Sequence, residues 1–517
     1  MPLMNEPIVD LETCAREPIH IPGAIQPHGV LLVLKEPELT IVQASENTDL
    51  FFGRRADHLV GEKLDILLTR EQVDAIRGAL VSDDQAEINP LQLGFTGMDG
   101  KIALEGILHQ HDGFAILEFE PAMSSEGSAN FLNFYKTVSK TTGRLQSAPD
   151  LQALVDEAAA GVRQMTGFDR VMIYRFADNG EGEVIAESKA ETVDPYLGLR
   201  YPASDIPEQA RRLYTISSIR CIPTVTYKPV PLVPSINTTT DRPTDLSHAG
   251  LRSVSPIHCE YLQNMGVSAS MSVSVVREGK LWGLIACHHF APKSVPYETR
   301  KACSFIGQIL SGEIGRREAE ANSTYNSEAT SVQAKFLELI RSSAHPLAEL
   351  VNSTPNLLDL IPAAGAAVVM KDKAQMIGVT PTYTEVMSIV ASLRGADVPR
   401  TFSTRSLKNH FSDAGSMTKT ASGVIALEIS PENEEYILYF RPEVAQTVTW
   451  GGDPNKVAIA TVEGFRLSPR KSFAAWREKL QGASLPWTAN EVRAADELRK
   501  LVGGISHRVS PSANRSA

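Results

Sequence analysis

Asp205 stands between two prolines, in Pro202-Ala203-Ser204-Asp205-Ile206-Pro207. Proline fixes its own φ and pushes the preceding residue into extended backbone, so the loop is stiff and its carboxylate is aimed. His258 shares a helical face with Tyr261, Leu262 and Met265, behind Ser255-Pro256, an N-cap serine followed by proline at the first helical position. His288 ends the run Trp282–Cys287 and is followed by His289. Arg220 and Arg252 lie towards the ends of a long Pro/Thr-rich stretch, Leu213–Arg252, and each can form a two-pronged bond to a carboxylate. Ser268, Ser270, Ser272 and Ser274 alternate with Val267, Ala269, Met271, Val273 and Val275, the period of a strand with two unlike faces. Singly, these read as a surface turn, core histidines, solvated arginines and a solvent-facing serine row. Together with Tyr174, Tyr201, Tyr214 and Tyr261 they suit a large planar ligand that carries both carboxylates and N–H groups. The histidines could share protons with it near neutral pH.

The elements that must position these residues fall into three modules. Residues 1–125 read as a small α/β module with strands at Gly29–Leu34, Leu39–Val42, Ile102–Leu108 and Phe114–Glu118, preceded by a proline-rich leader from Cys14 to Gly29. Residues 130–320 hold paired strands Arg170–Phe176 and Gly182–Glu187, the long stretch Leu213–Arg252, then strands Val267–Val276 and Leu281–His289. A loop of that length is usually functional or disordered. From Tyr297 the apolar positions Ala302, Phe305, Ile306, Ile309 and Leu310 have helical spacing, and the pattern resumes at Val332, Phe336 and Ile340. A helix over 297–343 would span roughly 70 Å. Residues 321–517 complete a third α/β module. Its expected hairpin runs out along Glu435–Arg441, turns at Gly451-Gly452 and returns along Lys456–Val462. Thr488-Ala-Asn-Glu491 is a capping box that opens a helix through about Leu501, with a frayed tail after Gly504.

Composition narrows the function. A length of 517 residues with 43% hydrophobic and 21% charged residues fits about three globular domains. A net charge of −11 argues against nucleic acid as a partner. No apolar run approaches the length of a membrane span, and the acidic start lacks a signal-peptide pattern. Five cysteines with no C-x-x-C pair fit a reducing cytoplasm and argue against a disulfide framework or a zinc site. No nucleophile elbow or H-E-x-x-H motif supports an enzyme. The remaining alternative is a sensor of a small molecule such as a cyclic nucleotide or haem.

Several motifs resemble those of a bacteriophytochrome photosensory core, over essentially the whole chain. They are Glu17-Pro-Ile-His-Ile-Pro-Gly-Ala-Ile-Gln-Pro-His-Gly29, Pro202–Pro207, Ser255-Pro-Ile-His-Cys-Glu-Tyr-Leu-Gln-Asn-Met265, Trp282-Gly-Leu-Ile-Ala-Cys-His-His289, Trp450-Gly-Gly-Asp453 and Pro469-Arg-Lys-Ser-Phe473. The resemblance implies an α+β fold of PAS, GAF and PHY domains, each a central antiparallel sheet flanked by helices. A long helix would join them, the N-terminal segment would pass as a knot through the GAF loop, and a PHY hairpin tongue would span about 435–475. It implies covalent biliverdin on Cys14, with Cys259 as the alternative thiol. The bilin would be held by Asp205, Ile206, His258, His288, Tyr174, Tyr201, Tyr214, Tyr261, Arg220, Arg252, Ser255, Ser270 and Ser272. It also implies tongue coupling through Arg470, Ser472 and Trp450, 15Z/15E switching between Pr and Pfr, a parallel homodimer and a signalling output partner. Relatives commonly continue into a histidine kinase; this sequence shows no catalytic domain after Leu501, so the chain itself is expected not to be an enzyme.

Overall fold

The computed structural model describes residues 17–81, 89–97, 100–123, 128–343, 346–444, 446–453, 458–461, 464–467, 472–480 and 482–509. The chain divides into two compact units, Met1–Gly315 with Thr449–Trp476, and Arg316–Val448 with Arg477–Ala517.

Among the described residues, the first unit contains two large sheets and the two-stranded hairpin of Ala458–Thr461 and Gly464–Leu467. One has seven strands in the order Ala24–Ile25, Val230–Val233, Thr40–Ser45, Val30–Lys35, Phe114–Pro121, Gly100–His111 and Leu91–Gly97, all antiparallel. Its central run Val-Leu-Leu-Val-Leu is apolar at every position because both faces are covered. Leu32 and Leu34 pack with Leu59, Val73, Ile76 and Phe119 on one side. Leu31 and Val33 pack with Ile25, Leu232, Leu246 and Leu251 on the other. That second face is built from the leader and from the 213–252 stretch, which therefore docks on this sheet.

The other sheet carries strands Ile219–Ile222, Ala269–Arg277, Lys280–His289, Arg170–Phe176, Gly182–Lys189 and Arg200–Tyr201 in that order, again antiparallel. Ala269, Met271, Val273 and Val275 are fully buried. The latter three pack with Val155, Ala159 and Val162 of helix Leu151–Thr166 and with Cys303, Ile306 and Leu310 of helix Tyr297–Ser342. Period-two alternation then puts the serines on the opposite face. The strand Phe114–Pro121 is tied to the start of the long helix by a buried ion pair, Arg300 to Glu120, at 3.1 and 2.5 Å.

The second unit has a five-stranded antiparallel sheet, ordered Lys373–Gly378, Gly365–Met370, Glu435–Arg441, Gly423–Ser430 and Thr401–Thr404. The capping box holds: Thr488 N donates to Glu491 Oε2 at 2.7 Å, and Glu491 N to Thr488 Oγ1 at 3.2 Å. Among the described residues no helix is long and apolar enough to cross a membrane.

Several sequence expectations need correction. Glu435–Arg441 is the central strand of the five-stranded sheet, not the outgoing limb of the tongue; Ile437, Leu438, Tyr439 and Phe440 are all fully buried. The tongue leaves along Gln446–Gly451 and returns along Ala475–Leu480, with a two-stranded hairpin of Ala458–Thr461 and Gly464–Leu467 between them. The segment after Ser472, which has helical propensity, is here a strand. The 213–252 stretch is less irregular than its composition suggests: helix Glu208–Ile216 runs into it, and strands Ile219–Ile222 and Val230–Val233 lie within it. The last helix continues through Val509, beyond the expected fraying point.

Gly29 shows how tightly the leader's end is seated. A Cβ added there would meet the Phe119 carbonyl oxygen at 2.5 Å and Leu251 at 2.8 Å. Gly29→Ala is expected to lower the stability of the first unit by about 1–3 kcal/mol. Urea unfolding measures this, and an unchanged midpoint would contradict the close approach.

Candidate functional site

The serine face of the second sheet forms one wall of a cavity lined by thirty side chains of the first unit. Strand register assembles that wall. Ser270 lies opposite His288 and Ile222, and Ser272 lies opposite Arg220 and Ala286, so all six share a face. Met172 and Tyr174 continue the wall from the strand Arg170–Phe176. Gly182 makes room for Tyr174, since a Cβ at residue 182 would overlap the tyrosine ring. The solvent-facing reading of the serines is thereby corrected: Ser272 and Ser274 are 9% and 7% exposed.

Asp205 closes a single 3₁₀ turn, Ala203–Asp205, with Pro202 before it. Ile206 is extended at φ −126° and leads into Pro207, which caps the helix Glu208–Ile216. The stiff loop expected from the two prolines is present. Asp205 Oδ2 accepts from the Tyr261 hydroxyl at 3.2 Å. Tyr261 is stacked with His258, ring centroids 6.3 Å apart and 11° from parallel. It also meets Phe473 edge-on, at 5.2 Å and 87°. Trp450, also from the tongue, bridges to Arg200 beside Tyr201.

Two residues of the lining are cationic. Arg220 donates from Nη1 to the carbonyls of Ala249 and Gly250, each at 3.3 Å, and from Nη2 to that of Arg252. Arg252 donates to the Ile19 carbonyl at 2.6 Å. Among the described residues no carboxylate pairs with either guanidinium. Burial lowers both arginines, and Arg252, with Arg220 beside it, falls to about 9. Ser255 sits at the N-cap position but makes no cap bond; its hydroxyl donates to Glu17 Oε2 at 3.0 Å. The cap is supplied by the Ser255 carbonyl, which accepts from His258 N and Cys259 N.

Of the described residues that the sequence nominated for ligand binding, all but Cys259 line this cavity: Asp205, Ile206, His258, His288, Tyr174, Tyr201, Tyr214, Tyr261, Arg220, Arg252, Ser255, Ser270 and Ser272. Cys14 and Arg470 lie outside the described residues. Ser472 is exposed, and its hydroxyl accepts from Ala474 N at 3.5 Å. Cys259 is not part of the lining; it is buried on another side of its helix, and burial raises its thiol pKa. Sequence reasoning missed part of the apolar lining (Met172, Leu213, Ile222, Leu284), which looks like core. It also missed the buried pair Arg170–Glu187 at 3.0 Å, with the Arg170 guanidinium 3.6 Å from the Tyr196 ring centre. Alternation from Tyr174 back to Arg170 was the available signal.

Among the described residues, the buried lining atoms Tyr201 Oη, Arg252 Nε and His288 Nδ1 have no hydrogen-bond partner. Native interiors leave few such groups. Two donors and a ring nitrogen placed around one cavity call for a ligand with both acceptors and donors.

The comparisons agree with this geometry. Residues 14–122 match the family model "PAS fold", 150–317 "GAF domain" and 329–510 "Phytochrome region". Cyanobacterial phytochrome B of Nostoc is 44% identical over 96% of the chain, and a bacteriophytochrome of Pseudomonas aeruginosa 35% over 95%. The chain spans 66% of the length of each. The crystal structure of a bacteriophytochrome from R. palustris superposes with a TM-score of 0.85 at 40% identity, covering 97% of this chain and all of that one. The photosensory core module of a Stigmatella aurantiaca phytochrome gives 0.84 at 40% identity over 98%.

His258 and His288 are buried, and desolvation lowers them to about 4 and about 3. For His258 the second cause is Arg220; for His288 it is Arg170, then His258. A depressed histidine stabilises the fold fully above its ordinary 6.5 and loses that contribution as pH falls through the folded value. Ligand-free protein should therefore lose about 2 kcal/mol per histidine between neutral pH and about pH 5. His258→Gln should remove its share of that slope. A pH-independent thermal midpoint over this range would contradict the buried, neutral state.

Proposed function

Because the chain belongs to the phytochrome family as a PAS–GAF–PHY photosensory core, we propose that it is a red/far-red photoreceptor whose bilin is biliverdin, bound covalently to Cys14. The observation that carries this reading is the set of unpartnered Tyr201, Arg252 and His288 atoms around one cavity. A linear tetrapyrrole has carboxylates for the arginine, a lactam carbonyl for a donor and pyrrole N–H groups for acceptors. When bound, the bilin supplies absorption of red light and 15Z/15E isomerisation between Pr and Pfr.

The chain's own groups divide the work. Arg220 and Arg252, with Tyr214, Ser255, Ser270 and Ser272, would hold the propionates. Asp205 and His258 would serve the pyrrole nitrogens. His288 would meet the terminal-ring carbonyl, and Ile206, Tyr174, Tyr201 and Tyr261 would enclose that ring. Burial favours neutral imidazoles at His258 and His288, so each can donate from one nitrogen and accept at the other. A thiolate at Cys14 would add to the conjugated vinyl group, its sulfur forming the C–S bond as a proton is taken up on carbon.

Asp205 would couple the cavity to the tongue. Its carboxylate holds the Tyr261 hydroxyl, and Tyr261 meets Phe473, one residue after Ser472. In this reading Arg470 pairs with Asp205 in Pr and Ser472 takes that place in Pfr, so a change at the ring biases a two-state tongue. A parallel homodimer, a separate signalling output and a cytoplasmic setting complete the proposal.

Two variants test it. Cys14→Ser should give protein that no longer retains bilin through denaturation, read as loss of the zinc-fluorescent band on a gel. An undiminished band would refute attachment at Cys14. Asp205→Ala should still take up bilin but fail to build a stable red-light product. A wild-type photocycle in that variant would refute the coupling role.

A further inference from the structure

Segment 245–252 runs along the first sheet and ends in the cavity. Its ionisable and N–H groups meet side chains of the strands Gly100–His111 and Phe114–Pro121. Asp245 Oδ2 faces His111 Nε2 at 3.3 Å. The His248 ring lies 4.7 Å from that of His111 and 6.2 Å from that of His109. The N–H groups of Gly250 and Leu251 donate to the two oxygens of Glu118, at 3.0 and 2.6 Å. On their carbonyl side the same peptide units are held by Arg220. Residues 249–252 are thus gripped between a carboxylate and a guanidinium. Arg252, the next side chain along, is the one whose Nε is buried in the cavity wall without a partner.

Glu118 is 1% exposed and does not line the cavity. We propose that Glu118 is the positioning residue for the Arg220–Arg252 pair and makes recognition of the ligand's carboxylates depend on pH; this rests on reading the cavity as a bilin site. Ionised, Glu118 offers charge-assisted acceptors to both N–H groups. Protonated, one oxygen becomes a donor, so one of the two bonds is lost and the grip loosens. The proton then faces His109 Nδ1, 3.7 Å from Glu118 Oε1. His109 is free to accept it, because desolvation holds that ring neutral with a pKa of about 3 and its Nε2 has no partner.

Burial, opposed by the Leu251 and Gly250 N–H groups, raises Glu118 to about 7; Glu120 raises it further and Arg300 lowers it. The other charged or titratable groups around the strap are His109, His111, His248, Asp245 and Arg220. As a raised acid, Glu118 stabilises the fold fully below 4.5 and loses that contribution as pH rises to about 7. The tight strap is therefore the less stable form of the two, and it forms above neutral pH. The propionates themselves are ionised throughout that range.

The test compares uptake rates of biliverdin and its dimethyl ester across neutral pH, by absorbance, in the full chain. Wild-type protein should prefer the diacid increasingly with pH, around a midpoint near 7. Glu118→Gln should show a pH-independent preference lower by on the order of ten-fold. His109→Gln, whose amide N–H can donate to the carboxylate, should move the midpoint to lower pH, and this arm decides if Glu118→Gln does not fold. An unmoved midpoint in His109→Gln, or a wild-type profile in Glu118→Gln, overturns the role of Glu118. Wild-type protein that takes up neither compound overturns the reading of the cavity instead.

Discussion

Arg220 and Arg252 are buried side by side in the cavity lining, and much of the surrounding structure answers to that. Removing a guanidinium from water costs several kcal/mol unless hydrogen bonds replace the solvent. Here the replacements are backbone carbonyls: Ala249, Gly250 and Arg252 for Arg220, and Ile19 for Arg252. Carbonyl dipoles solvate a cation without cancelling its charge. The pair therefore keeps a net positive field inside a mostly apolar cavity, where an anionic ligand gains more than it would in water.

The leader and the 213–252 stretch follow from this arrangement. To supply the Ile19 carbonyl, the leader must lie beside Arg252, and its strand Ala24–Ile25 pairs with Val230–Val233. To hold the Ala249–Arg252 carbonyls in place, their N–H groups need an acceptor on the first sheet, which is Glu118. The two sheets of the first unit are thus joined through the groups that bury the arginines. Elsewhere in the lining the logic reverses. Asp205 and Tyr201 offer polar groups near His258 and His288, which burial and the neighbouring arginines keep uncharged. The arginines favour negative charge, and the histidines and Tyr201 offer neutral donors and acceptors, matching a ligand that carries both carboxylates and N–H groups.

Much of the site was legible in the sequence because short-range rules placed it. Two prolines fixed Asp205, serine alternation fixed one wall, and the helix behind Ser255-Pro256 fixed His258 and Tyr261. The resemblance to a known family then assigned roles that spacing alone left open. What escaped depended on long-range contact. Ser255 looks like a capping residue, yet its hydroxyl is drawn to Glu17, 238 positions away. Glu435–Arg441 reads as a hairpin limb until its neighbours on both sides are known. Glu118 belongs to an apolar strand, and nothing local marks its tie to Gly250 and Leu251.

The central claim is that this cavity holds a photoactive bilin between a buried arginine pair and neutral, hydrogen-bonding histidines. The most direct measurement is the absorption spectrum of purified protein mixed with biliverdin, recorded before and after red and then far-red illumination. The account predicts a red-absorbing adduct whose band is depleted by one colour of light and restored by the other. Protein that stays colourless, or that binds pigment with a spectrum unmoved by either light, would contradict it.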